Sequence, residues 1–459
     1  MKIIFPSLIL WISLWILAAL PAPAVTFTNL YKFSLDAYES GPNPQATNAD
    51  GVGPNGFVLV GNVLYGTANA GGTNGYGTIF RVNTDGTHFT NLFNFNLGGY
   101  DPISGTYTNS TGANPNPGLL GVSNTLYGTT FYGGLLDAGT VFKINTDGSG
   151  FATVFSFSFT NGQEPASGFT LYSNALYGTT VGGGTNGYGT IFKINLSDLS
   201  CDIVYQFTNQ INPYGGVVES SNSFYGFGQY GGASNHGLVY GGGGYSDLFD
   251  FNGITGWSSY ATPTVVGGVL YGVTYQGGTN GGGNVFRINT DGSQYTNLFS
   301  FLAPGGANTT GAYPYGYTGL VSSGNKLYGT TSVGGSGGQG TVFQLNTDGT
   351  GFTVLHSFQY TDGGQPLALR LSGGTLYGLA LAGIQGISLG NGGVFALILQ
   401  PTLDIAIENN QAVLMWNDPS YFLYTALTLT NTFTEMPGAS SPYTNAIIGS
   451  QRFFRLQSN

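Results

Sequence analysis

The sequence predicts an all-β protein: a seven-bladed β-propeller of four-stranded blades, its last blade closed by an N-terminal strand, followed by a small C-terminal β-sandwich-like module. Three observations carry this. A Leu-Tyr-Gly tripeptide or its variant recurs seven times, at steps of 46 to 62 residues, and a period near 50 suits one four-stranded blade. Each unit holds four short apolar runs in one order, joined by turn residues. The composition (79 Gly, 14% aromatic, 41% hydrophobic, 7% charged) fits tight turns between half-buried strands.

The tripeptides begin at Leu64, Leu126, Leu176, Phe224, Leu270, Leu327 and Leu376. In the first unit an apolar run, Phe57-Val58-Leu59-Val60, precedes a Gly61-Asn62 turn and the second run, Val63 to Thr67. A glycine-rich loop, Gly71 to Tyr76, leads to Gly77-Thr78-Ile79-Phe80-Arg81-Val82-Asn83. The Thr84-Asp85-Gly86 turn then leads to Phe89-Thr90-Asn91-Leu92-Phe93-Asn94-Phe95. The Asp-Gly turn recurs at Asp147, Asp291 and Asp348, where both residues tolerate positive φ. The third and fourth units use Ser197-Asp198 and the run Gly241 to Gly244 instead. A sheet sandwich or a β-solenoid is the competing architecture, but solenoid coils are shorter and nearly constant in length. Hairpin-linked units with variable loops fit radial blades better.

The seventh unit starts at Leu367 and ends near Leu399 with its fourth run missing. A matching copy, Phe27-Thr28-Asn29-Leu30-Tyr31-Lys32-Phe33, stands before the first unit. It is expected to pair antiparallel with Gly393 to Leu399, because an open ring would leave a strand edge and apolar faces uncovered.

The recurring elements L-Y-G-T-T, G-G, G-T-[VI]-F, N-T-D-G and F-x-x-L-F-x-F, in that order over residues 26 to 399, resemble the GloVer-type extracellular tandem-repeat family of bacteria. The resemblance implies a secreted, propeller-like protein and brings no catalytic residues with it. The unit also resembles a kelch blade loosely, in the Gly-Gly pair after the second strand.

Residues 1–24 read as a signal peptide: Lys2, an apolar stretch from Ile3 to Leu20, and Ala22-Pro23-Ala24 as the cleavage site. An uncleaved anchor is the competing reading; after cleavage no membrane span is expected. Residues 25–400 are assigned to the propeller and 401–459 to the C-terminal module, where runs such as Leu403-Asp404-Ile405-Ala406-Ile407 alternate.

The formal charge of −10, from 10 basic and 20 acidic residues, argues against a nucleic-acid partner, which needs clustered Lys and Arg. Cys201 is the only cysteine and takes the slot of Phe89 and Phe151, so burial is expected of it rather than reactivity. His356 takes the slot of Phe93 and should be an aromatic packing residue, His236 lies in a glycine-rich loop, and His88 faces solvent. No metal or other cofactor is expected, since each N-T-D-G turn offers one carboxylate and calcium needs several converging oxygens.

The function expected is non-enzymatic binding or scaffolding, secreted or at the cell surface, with a polysaccharide or cell-surface protein as partner. The loops between second and third strands carry Tyr76, Tyr132, Tyr188, Tyr230 and Tyr275, whose flat rings suit glycan surfaces. The alternative is a secreted carbohydrate-active enzyme using Asp101, Asp137 and Glu164 as rim carboxylates. A third reading is a surface-layer or adhesion component docked by its C-terminal module.

Overall fold

The computed structural model of the chain describes residues 25–34, 37–38, 46–96, 98–101, 106–166, 168–305, 308–316, 319–382 and 392–399. In the C-terminal part it describes residues 403–408, 411–416, 421–426, 432–441, 443–446 and 453–458. The expected signal peptide lies outside the described residues. No helix occurs among them, so none is long and apolar enough to cross a membrane.

Seven antiparallel sheets make the seven blades. The first runs in sequence order across the sheet: Val52–Val60, Val63–Ala70, Thr78–Asn83 and Thr90–Asn94. The first strand of each blade lies innermost, the fourth outermost. The last blade departs from this order only at its edge. Its strands Gly364–Ser372, Thr375–Ala382 and Gly393–Ile398 are completed by Thr26–Lys32, with Thr26 opposite Ile398 and Lys32 opposite Gly393. The closing strand is therefore the missing fourth strand, as the sequence pattern required.

A shared irregularity proves the equivalence. In the first blade Phe80 pairs with Asn91 and Ile79 with Phe93, so Leu92 is skipped as a bulge. The same slip passes over Leu30 in the closing strand and over Val154, Val204, Leu248, Leu298 and Leu355 in the others. The bulge has a structural use: the next blade's hairpin turn packs on it. A Cβ on Gly86 would lie 2.6 Å from the Leu30 carbonyl oxygen, and one on Gly292 2.6 Å from that of Leu248.

The two strongest sequence signatures turn out to be one contact. Gly66 of Leu-Tyr-Gly sits opposite Phe80 of Gly-Thr-Ile-Phe, and a Cβ there would come within 2.3 Å of the Phe80 ring. The glycine makes room for the ring, and the same pairing holds in the other six blades, with Tyr240 in place of Phe in the fourth. Blades stack face to face, so the middle strands are buried on both sides. The core is accordingly seven apolar layers, one per junction, including Phe33, Phe57, Phe80 and Val394 where the seventh blade meets the first.

A second set of contacts ties the outer strands. The first aromatic of one fourth strand stacks on the fifth residue of its neighbour: Phe89 on Tyr31 at 3.7 Å, Phe151 on Phe93 at 3.7 Å, Tyr295 on Phe249 at 4.3 Å, Phe352 on Phe299 at 3.7 Å. Tyr245 meets Tyr205 at 4.8 Å, and Phe27 closes the circle on His356 at 4.0 Å. His356 is thus an aromatic packing residue as expected, and it also meets Asp362 at 3.0 Å. Only the second-to-third junction lacks a ring pair: Cys201 stands there, packed in the same layer as Phe155. Burial, reinforced by Asp202, pushes its thiol up to about 12, so the thiolate that reacts is suppressed.

The C-terminal stretch forms two three-stranded sheets. One orders Leu403–Glu408, Gln411–Trp416 and Tyr443–Ala446; the other places Tyr421–Ala426 between Thr434–Glu435 and Phe453–Ser458. Leu414 of the first and Leu423 of the second are buried in one small cluster.

Candidate binding site at the axial mouth

The innermost strands are where the repeat breaks, and the breaks build a site. Each inner run turns sharply at one residue with positive φ: Gly53, Asn114, Glu164, Asn212, Ser258, Tyr313 and Gln365. Six of the seven are not glycine, and each left-handed residue costs on the order of 1 kcal/mol. In six blades a proline follows: Pro54, Pro115, Pro165, Pro213, Pro314 and Pro366. Its missing N–H and fixed φ suit the bulge. Five of these rings seat against the glycine that opens the preceding blade's third strand. A Cβ on Gly77 would lie 2.4 Å from Pro115 Cδ, and one on Gly392 2.7 Å from Pro54 Cδ. The seventh-to-first junction is therefore built like the others.

The residue after the kink points to the axis. It is Asn55, Asn116, Ala166, Tyr214, Tyr260, Tyr315 and Leu367 in blade order. Six of these line a cavity of about 480 Å³ at the end of the channel where the second-to-third loops lie. Asn69, Phe131 and Leu381, from the end of the second strands, complete its wall. Tyr260, the seventh, stands between its neighbours, 5.6 Å from both the Tyr214 and the Tyr315 rings.

The mouth is chemically lopsided. Blades four to six supply a tyrosine arc: Tyr275 packs on Tyr260 at 5.7 Å, on Tyr315 at 5.7 Å and on Tyr313 at 4.9 Å. Gln229 Nε2 donates to the Tyr260 hydroxyl at 2.7 Å. Burial, with Tyr230 adding to it, pushes the Tyr260 hydroxyl up to about 12, so this hydroxyl keeps its proton at physiological pH. Blades one and two supply amides. Asn55 Nδ2 donates to the Pro115 carbonyl at 2.8 Å while its Oδ1 accepts from the Thr67 hydroxyl at 2.7 Å. Asn116 Nδ2 donates to the Pro165 carbonyl. These bonds hold the inner strands to one another and fix the amides in place. Blade seven contributes the apolar Leu367 and Leu381.

The five tyrosines expected from the sequence fall into three places. Tyr275 belongs to the arc, and Tyr230 lies near enough to act on Tyr260. Tyr132 and Tyr188 are exposed on the rim, and Tyr76 is half-buried against the layer between blades one and two. Its carbonyl accepts the N–H of Asn114 at 2.9 Å, splicing two blades together. Tyr214, Tyr260, Tyr313 and Tyr315 were not expected. The signal for Tyr214 and Tyr315 was the Pro-Tyr-Gly of Pro213-Tyr214-Gly215 and Pro314-Tyr315-Gly316, equivalent to Pro54-Asn55-Gly56.

The rim carboxylates are placed only in part. Burial raises the Tyr132 hydroxyl, with Glu164 and then Asp137 adding to it, and burial raises Glu164 itself. Asp137 Oδ1 accepts from the Gly133 N–H at 2.7 Å. Neither lines the axial cavity, and the Asp101 side chain lies outside the described residues. In the hairpin turns each aspartate Oδ1 accepts both the N–H and the hydroxyl of the residue two on, as Asp147 does from Ser149 at 2.8 and 2.6 Å. Among the described residues no three His, Cys, Asp or Glu gather as a metal site. His236 rests edge-on against Trp257 at 5.0 Å, and His88 is exposed.

Three solved structures resemble the chain at low identity, each with a TM-score below 0.5. The β-propeller domain of the Trilobed protease from Pyrococcus furiosus matches at TM-score 0.45 and 7% identity, over 75% of this chain and 95% of that one. The extracellular domain of a hybrid two-component system from B. thetaiotaomicron matches at 0.46 and 10%, over 86% and 43%. The tricorn protease matches at 0.39 and 11%, over 79% and 33%. This chain thus spans less than half the length of the latter two, and at these identities nothing of their activities transfers. No curated protein matches the chain. The model of the Gloeobacter/Verrucomicrobia repeat matches residues 97–242 and 200–395, more than half of the sequence. With seven such units closed into one ring, the chain belongs to the Gloeobacter/Verrucomicrobia repeat family.

Proposed function

We propose that the protein is a non-catalytic binding protein of the cell exterior that takes a glycan at the axial mouth of its propeller. The observation that carries this is the neutral tyrosine arc facing fixed asparagine amides across a cavity of about 480 Å³. Tyrosine faces cover the C–H surfaces of sugars, and amides serve their hydroxyls. Tyr132 and Tyr188 on the rim would extend the contact to a longer polysaccharide. The signal-peptide pattern at residues 1–24 supports export, and a polysaccharide fits a neutral site better than a charged protein surface does.

The test is a glycan array probed with the mature protein and with Tyr214→Ala and Tyr315→Ala. Retention of a neutral glycan, weakened at least tenfold by either substitution, is the expected result. Retention of no glycan, or equal retention by both variants, overturns the reading.

One observation favours the enzymatic alternative: Asp137 and Glu164 share the neighbourhood of Tyr132, and Glu164 is raised as a general acid would be. Hydrolysis of an aryl glycoside that disappears in Glu164→Gln would establish it.

A further inference from the structure

Below the mouth the axial channel narrows to a second cavity of about 170 Å³, which shares Pro117 with the upper one. Its walls mix apolar side chains, Val58, Leu119 and Phe169 among them, with the polar Thr170 and Thr262, and one charged side chain lines it: Arg370. Among the described residues Arg370 is the only basic one on an innermost strand of the propeller. Its side chain is half-buried, and its surface meets the channel.

The guanidinium is under-used. One N–H, from Nη1, donates to the Leu369 carbonyl at 2.9 Å, and the group lies 5.9 Å from the centre of the Phe57 ring. The ion pairs among the described residues are Lys193 with Asp202 and His356 with Asp362; none includes Arg370. A guanidinium carries five donors in a planar fork. With one donor used inside the chain and no counter-charge, the remaining donors are open to the channel. Nor do the two wall hydroxyls point to a substitute within the chain. Thr262 Oγ1 accepts from the Gly216 N–H at 2.9 Å, and the Thr170 hydroxyl donates to the Val217 carbonyl.

We propose that this lower cavity is an anion subsite in which Arg370 binds the carboxylate of a small ligand reaching it through the axial mouth. The fork matches a carboxylate with two parallel hydrogen bonds. Val58, Leu119 and Phe169 in the wall fit the carbon body that carries the group. The volume corresponds to roughly six waters, enough for the carboxylate and a few atoms attached to it. The subsite does not depend on the glycan reading, since its anchor is the charge on Arg370 and not the tyrosine arc.

Isothermal titration at constant ionic strength tests it, with acetate against acetamide and glucuronate against glucose. At least tenfold tighter binding of one acid than of its neutral counterpart is expected in the wild type, falling at least tenfold in Arg370→Gln. Acetate as the tighter acid identifies a small free acid as the source; glucuronate as the tighter acid identifies an acidic sugar. Equal binding of acids and neutral counterparts by the wild type overturns the proposal, whatever the folding of the variant. So does undiminished acid binding by a folded Arg370→Gln.

Discussion

The outer ring and the axial mouth occupy equivalent positions in the same seven blades, yet one repeats and the other does not. At the outer ring six of seven junctions carry the same ring pair, and all seven fourth strands bulge at the same residue. At the mouth the seven equivalent residues are Asn, Asn, Ala, Tyr, Tyr, Tyr and Leu. The repeat builds the frame. The departures from it, placed where every blade points inward, give the frame a chemically distinct interior. The left-handed residue before each departure shows the cost, since six of the seven inner strands hold a non-glycine residue in an unfavourable conformation to present these side chains.

The largest expected effect comes from breaking the ring at its one non-sequential strand. Phe33 is 4% exposed and meets Phe80 at 5.1 Å. Phe33→Ala should cost about 3–5 kcal/mol, the range for a buried aromatic. Deleting residues 26–33 should do more, exposing the Gly393–Ile398 edge and removing Phe27 from His356. Thermal unfolding and light scattering measure both. A deletion that melts like the intact protein without aggregating would show that the ring does not depend on its seventh closure.

The frame was legible because its signatures are contacts. Leu-Tyr-Gly and Gly-Thr-Val-Phe recur together since one glycine accommodates one ring, and Phe27 to Phe33 could be recognised as a misplaced fourth strand by the same logic. The mouth was harder to read. Its lining comes from kinked inner strands, whose bulges break the two-residue alternation, and from positions that share no one residue type across the units. The tyrosines singled out near the glycine pairs mix three registers. Tyr275 stands two residues before its pair and reaches the arc. Tyr132 and Tyr230 stand one residue before it, and Tyr76 and Tyr188 follow it. In a strand, one residue's shift changes the face, so aromatic content alone could not separate lining from rim. Pro-x-Gly, present in three units, was the better signal.

Two scaffold positions depart from the repeat without facing the mouth, and restoring them sharpens the contrast. Tyr240 replaces the recurring phenylalanine, and its hydroxyl is buried without a hydrogen-bond partner. Tyr240→Phe removes that orphan and should stabilise by about 1 kcal/mol. Cys201→Phe should complete the circle of ring pairs on Phe155, adding roughly 0.5–1.5 kcal/mol. Denaturant titration checks both, and the two gains should add because the sites lie in different junctions. Loss of stability in either variant would mean that the junction has adapted to its irregular residue. Unmodified, Cys201 should react with a thiol reagent far more slowly in the native protein than after unfolding, because burial suppresses its thiolate.

The smallest effect separates the hairpin turns from the rest of the frame by pH. Asp85, Asp147, Asp198, Asp291 and Asp348 are held below the ordinary aspartate value, chiefly by the N–H and hydroxyl of the Thr or Ser two residues on. A carboxylate lowered on folding stabilises above its ordinary value of 3.8. That contribution is lost as pH falls through the lowered value, where the unfolded chain has already taken its proton. Glu164 and Asp247 are raised by burial and act with the opposite sign, gaining stability as they protonate. Replacing the five turn aspartates with asparagine keeps an oxygen to accept the same N–H but removes the titration. The variant should match the wild type near neutral pH within a few degrees of melting temperature, and lose less between pH 4 and about 2.5. The turns are fully exposed, so salt should shrink the difference further. Parallel melting curves down to pH 2.5 would refute the turn assignment, because Glu164 and Asp247 are common to both proteins and cancel in the comparison.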